Sequence, residues 1–104
     1  MLEKIQVAPI DEISPGESRS VEVGAKLIGV FNVDGRFYAI DGKCTHIGAS
    51  MVDGWLDGKE LTCPFHGARF DVTTGKVLSP PARCDVGTYP VHVEDGVVVV
   101  EVET

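Results

Sequence analysis

Two Asp-Gly pairs, Asp34-Gly35 and Asp95-Gly96, limit the fold of this chain more than any other feature. An Asp-Gly pair between apolar alternations favours a two-residue hairpin turn, because both residues tolerate positive φ. Lys26 to Val33 therefore runs into a return strand over Arg36 to Ile40, and Tyr89 to Val93 pairs with Val97 to Val102. Lys4 to Val7 and Ser20 to Val23 alternate in the same way. Glu60 to Thr62 and Ala68 to Val72 are short strand candidates, the second followed by a turn at Thr74-Gly75-Lys76. No stretch carries an apolar stripe of helical period. Twelve glycines suit a fold of many tight turns. The predicted fold is all-β, an antiparallel sandwich or partly open barrel. With 104 residues and no repeat or linker, residues 1–104 are expected to form a single domain.

Sixteen acidic against nine basic side chains give a net charge of -7. Such a surface repels phosphate, so no nucleic acid is expected as partner. Its charge suits brief docking on basic patches of other proteins. The longest strongly apolar run, Val97 to Val100, is far too short to span a membrane, and Met1 to Lys4 opens no signal peptide. No membrane association and a cytoplasmic location are expected. Three cysteines in a reducing compartment argue against a disulfide framework and for metal binding or chemistry.

The cysteines and histidines are not scattered. Cys44-Thr45-His46 is one short pair, and Cys63-Pro64-Phe65-His66 is a second. Each is followed by a glycine, Gly48 or Gly67, and each lies in a stretch that reads as a loop leaving a strand. Thiolate and imidazole both bind iron and zinc. Four such ligands serve one tetrahedral zinc ion, or they divide over two irons.

The segments Cys44-Thr45-His46-Ile47-Gly48 and Cys63-Pro64-Phe65-His66-Gly67 resemble the two cluster-binding boxes of Rieske proteins, most closely those of small Rieske ferredoxins serving bacterial ring-hydroxylating dioxygenases. The resemblance implies a Rieske 2Fe-2S cluster, one per chain, held by two loops. Cys44 and Cys63 would ligate the inner iron, and His46 and His66 the outer iron near the surface. Two neutral imidazoles in place of two thiolates make electron uptake easier than in plant-type ferredoxins. The chain departs from the high-potential members of the family. Ala49 and Phe65 stand where those have a second pair of cysteines, and Ala68 and Phe70 where they have hydroxyls that donate to sulfur. The expected potential therefore lies near the low end of the Rieske range, roughly -150 mV. By the same resemblance the chain is expected to be an electron carrier, and nothing in the sequence requires more than a monomer. It takes electrons from a flavoprotein ferredoxin reductase and passes them to a terminal oxygenase that hydroxylates aromatic rings. The alternatives are the small subunit of an NAD(P)H nitrite reductase and, from a different class, a zinc-stabilised interaction module.

The remaining candidates have plainer readings. Cys84 has no ligand partner nearby and is expected to be an idle thiol near Pro80 and Pro81. His92 is expected to face solvent. Trp55, between the boxes, is expected to pack beneath the loops. Lys43 and Arg69 read as solvated surface. No nucleophile-base pair, phosphate loop or dinucleotide fingerprint is present, so no catalytic residue and no enzymatic activity are expected. A domain this small, with its core filled, is not expected to hold a pocket.

Overall fold

The computed structural model describes residues 2–42, 54–64, 67–80 and 85–103. Among them lie eleven strands and one short 3-10 turn at Ile10–Glu12. The strands are β1 (Leu2–Pro9), β2 (Ser18–Val23), β3 (Lys26–Val33), β4 (Arg36–Asp41), β5 (Trp55–Asp57), β6 (Glu60–Thr62), β7 (Arg69–Asp71), β8 (Val77–Ser79), β9 (Thr88–Tyr89), β10 (Val91–Glu94) and β11 (Val97–Glu103). They form three antiparallel sheets in the orders β1-β11-β10, β2-β3-β4-β9 and β5-β6-β7-β8. None of the three closes on itself, so the architecture is the open, packed arrangement and not a barrel.

Both Asp-Gly turns form as expected. Asp34 and Asp95 each adopt φ of 52°, followed by Gly35 and Gly96, also at positive φ. The turn conformation matches the twist of the strands it joins, which fixes the registers Val33 to Arg36 and Glu94 to Val97. The expected strand from Tyr89 to Val93 is split, because Pro90 has no N–H to continue a ladder. Thr88 and Tyr89 pair with β4, whereas Val91 onward pairs with β11.

The middle of the β2-β3-β4-β9 sheet, along β3, is buried on both faces, which explains why β3 reads as a nearly continuous apolar run. Ile28, Val30 and Ala39 point to one side, where they meet Ala8, Ile13, Val98, Val100 and Val102. Phe31 and Ile40 point to the other, where they meet Leu61, Ala68, Phe70, Val72 and Val86. Each large side chain so buried contributes roughly 1.5–3 kcal/mol. Asn32 is the polar exception. Its side-chain amide donates to the Ile13 carbonyl at 2.7 Å and accepts from the Gly35 N–H at 2.8 Å. That pair of bonds fastens the segment after β1 to the β3-β4 hairpin.

Candidate metal centre

Of the four residues expected to hold the cluster, Cys63 lies within the described part of the chain; Cys44, His46 and His66 lie outside it, as do Lys43, Ala49, Phe65 and Cys84. Cys63 directly follows β6. Its backbone N–H donates to the Ala68 carbonyl at 2.7 Å, which closes the base of the loop that leads to β7. Gly67, at φ of +74°, makes the reversal just before Ala68. The register continues from Thr62 paired with Arg69, so this loop is rooted in a regular ladder.

The first box begins just past β4. There Asp41 and Gly42 are held on two sides: the Gly42 N–H donates to Leu27, and the Asp41 N–H donates to Gly87. The Asp41 carboxylate adds two more links. It accepts from the Gly87 N–H at 2.9 Å through one oxygen and from the Tyr89 hydroxyl through the other. Burial, and then that bond, push the Tyr89 hydroxyl up to about 12. The segment leading into Tyr89 is pinned along its length. Asp85 accepts from the Val77 N–H at 2.8 Å, and the Val86 N–H donates to Gly75 at 2.8 Å. Gly75 is required there: it has φ of +77°, and a Cβ would stand 2.3 Å from the Val86 oxygen. Below it, Asp71 accepts from the N–H and hydroxyl of Thr73 and faces Lys59 at 3.4 Å. Burial pushes the Asp71 carboxyl up, but these partners outweigh it and hold the group below the ordinary carboxylate range.

The Cys63 environment fits a soft metal. Its thiol is wholly withdrawn from water, in the same cluster as Leu61, Ala68 and Phe70. A redox-reactive nucleophile needs exposure, whereas a metal-bound thiolate gains from a dry, apolar shell. Ala68 and Phe70 are both fully buried and carry no side-chain donor to offer a sulfur atom. Among the described residues no group of three potential metal ligands gathers.

Two expectations need correction. Trp55 does not pack beneath the loops; it is 66% exposed. The reason is strand parity. Leu56 pairs with the buried Leu61 and turns inward, so Trp55 and its partner Thr62 must face the other way. The chain also has an open groove of about 580 Å³, bordered by Phe37, Tyr38, Thr73, Tyr89 and Pro90. It exists because β9 and β10 diverge at Pro90, and it holds no acid-base pair. His92 faces solvent as expected and lies 3.0 Å from Glu101. Arg69 is exposed, again as expected. Asp41, Gly87 and Tyr89 were not singled out from the sequence. Their contact spans more than forty residues, and no local pattern announces it.

Known proteins agree with this geometry. The family model for the Rieske 2Fe-2S domain matches residues 3–90. The ferredoxin component of the naphthalene 1,2-dioxygenase/salicylate 5-hydroxylase systems of Ralstonia sp. is 44% identical over 99 residues, covering 95% of either chain. The solved ferredoxin of Sphingomonas yanoikuyae B1 superposes with a TM-score of 0.90 at 35% identity, over 97% of this chain and 100% of that one. A chain in the complex of reduced oxygenase and oxidized ferredoxin in carbazole 1,9a-dioxygenase also superposes at 0.90. It is 40% identical, over 93% of this chain and 91% of that one. No helix among the described residues is long and apolar enough to cross a membrane. The buried cysteine at the root of a closed loop, the all-β frame and the extent of these matches lead to one conclusion: this chain belongs to the Rieske 2Fe-2S family and carries that family's cluster.

Proposed function

We propose that this chain is a one-electron carrier that draws electrons from a flavoprotein ferredoxin reductase and delivers them to a terminal, aromatic-ring-hydroxylating oxygenase. The observation behind this reading is the 95% mutual coverage with the ferredoxin component of the naphthalene 1,2-dioxygenase/salicylate 5-hydroxylase systems. When bound, the 2Fe-2S cluster takes up and releases a single electron. Cys44, His46, Cys63 and His66 hold it, each loop supplying one sulfur and one nitrogen. Residues 1–104 act as one Rieske unit, a monomer working in the cytoplasm.

The protein's own residues keep the cluster rigid and dry. The Cys63 to Ala68 bond closes one loop. Asp41 ties the root of the other to Gly87 and Tyr89. Rigidity of this kind limits structural rearrangement when charge changes, and so favours fast exchange. Leu61, Ala68 and Phe70 exclude water from the cysteine side. That leaves the histidine side as the route by which an electron enters and leaves.

The test is reconstitution. The purified chain is mixed with NADH, a flavoprotein ferredoxin reductase and the oxygenase of the naphthalene or carbazole system, and product is measured with and without the chain. Product that depends on the chain is the expected result. A chain that is never reduced by the reductase, or that co-purifies as a fixed subunit of a larger reductase, would refute the carrier role.

A further inference from the structure

Trp55 is the most exposed large apolar side chain among the described residues, at 66% against 57% for Leu2 at the chain terminus. Nothing in the fold requires an indole there. Its backbone pairing needs no particular side chain, and its face of the β5-β6-β7-β8 sheet is the one turned away from the core. An indole left in water gives up most of the stabilisation that its burial would supply. Its place explains what use it has. Trp55 pairs with Thr62, and Thr62 immediately precedes Cys63. Neighbouring strands lie about 4.8 Å apart, so Trp55 stands one strand across and one residue along from a cluster ligand.

We propose that Trp55 is the apolar anchor with which this chain docks on its terminal oxygenase, entering an apolar pocket rimmed by basic residues; the inference rests on the carrier role proposed above. A standard footprint of about 800 Å² per partner has a radius of about 16 Å. Any interface of that size centred on the cluster end covers Trp55. Anchors of such interfaces are enriched in tryptophan and arginine, and Arg69 lies on the same face, paired with Thr62. Asp57 and Glu60, paired with each other, put acid on this face further from the cluster, which calls for base on the partner's rim. A second copy of this chain is the wrong occupant, because two surfaces of a molecule with net charge -7 repel each other. Both redox partners must approach the cluster end, and the oxygenase is the one supported by a solved complex: a 40%-identical chain lies in a complex of oxygenase and ferredoxin.

The experiment uses the intact, cluster-loaded chain. Dithionite-reduced wild type, Trp55→Ala and Trp55→Phe are mixed in stopped flow with the oxidised oxygenase of the naphthalene or carbazole system, whichever wild type reduces faster. Trp55→Ala is expected to raise the half-saturating concentration about tenfold or more, with the limiting rate held within about twofold. Trp55→Phe is expected to restore most of the loss. The cluster spectrum should not change, and any slowing of reduction by the reductase should be smaller than the loss at the oxygenase. Trp55 is the chain's single tryptophan, so 5-fluorotryptophan labelling gives one fluorine resonance. That resonance should shift on adding oxygenase. Wild-type saturation by Trp55→Ala, an unmoved resonance, or a defect confined to the reductase step would overturn the anchor and leave the carrier role intact. A wild type that reduces neither oxygenase would overturn both.

Discussion

Single residues carry unequal weight here. Cys63 sits at 0% exposure in an apolar shell, so Cys63→Ser removes the proposed metal ligand and buries a more polar hydroxyl among apolar side chains. Asn32 matters for the opposite reason, as a buried polar group with every partner in place. Replacing Asn32 with Ala leaves the Ile13 carbonyl without its donor and the turn at Gly35 without its acceptor. The expected loss of stability is about 1–3 kcal/mol, read as a shift in the urea midpoint with unchanged slope. A variant as stable as wild type would show that water takes over both bonds. Cys63 stood out in the sequence because it belongs to a short, chemically distinctive Cys/His pair, and the structure adds its burial. Asn32 was not, since an asparagine in an apolar strand looks like any other polar interruption until its partners nineteen and three residues away are known. Trp55 was misread because a three-residue strand is too short for its alternation to show which side faces out.

At the scale of elements, the long hairpins and the short strands β6 and β7 were legible, and the equally short β5 and β8 were not. β3, β4 and β11 have runs of six or more residues with a turn signal beside them. β5 and β8 have three residues each, too few for an alternation to show, although Asp57-Gly58 closes the first and the Thr74-Gly75-Lys76 turn precedes the second. What binds the elements around the cluster is non-local, and the Asp41 carboxylate is its centre. The Tyr89 hydroxyl is raised to about 12 in the fold, above its ordinary 10. The bond it makes therefore contributes in full below pH 10, and that contribution is lost as pH rises through 10 to 12. Tyr89→Phe is expected to lose cluster absorbance faster than wild type at neutral pH, with the gap between the two closing between pH 10 and 12. Equal lifetimes at neutral pH would mean that the Asp41 to Gly87 bonds hold the loop alone.

For the whole molecule, the middle sheet with a core on each face serves as a frame: the first box follows its strand β4, and the second lies between β6 and β7 of the sheet packed against it. One core joins this sheet to the β5-β6-β7-β8 sheet that carries Cys63, and the other joins it to the β1-β11-β10 sheet. The described strands from β1 to β11 thus share one frame. The net charge of -7 makes reduction harder by adding negative charge to the surroundings of a cluster that gains an electron. Buried Ala68 and Phe70 add no hydrogen bonds that would offset this. The midpoint potential is expected near the low end of the Rieske range, roughly -150 mV, by spectroscopically monitored titration. A clearly positive value would contradict that reasoning and would suit a different electron source.

The two-histidine, two-cysteine cluster is the claim on which everything else depends, and electron paramagnetic resonance of the purified, dithionite-reduced chain tests it most directly. The expected spectrum is rhombic, with an average g below that of all-cysteine 2Fe-2S clusters, and it disappears in Cys63→Ser. A colourless, silent protein that contains zinc would contradict it.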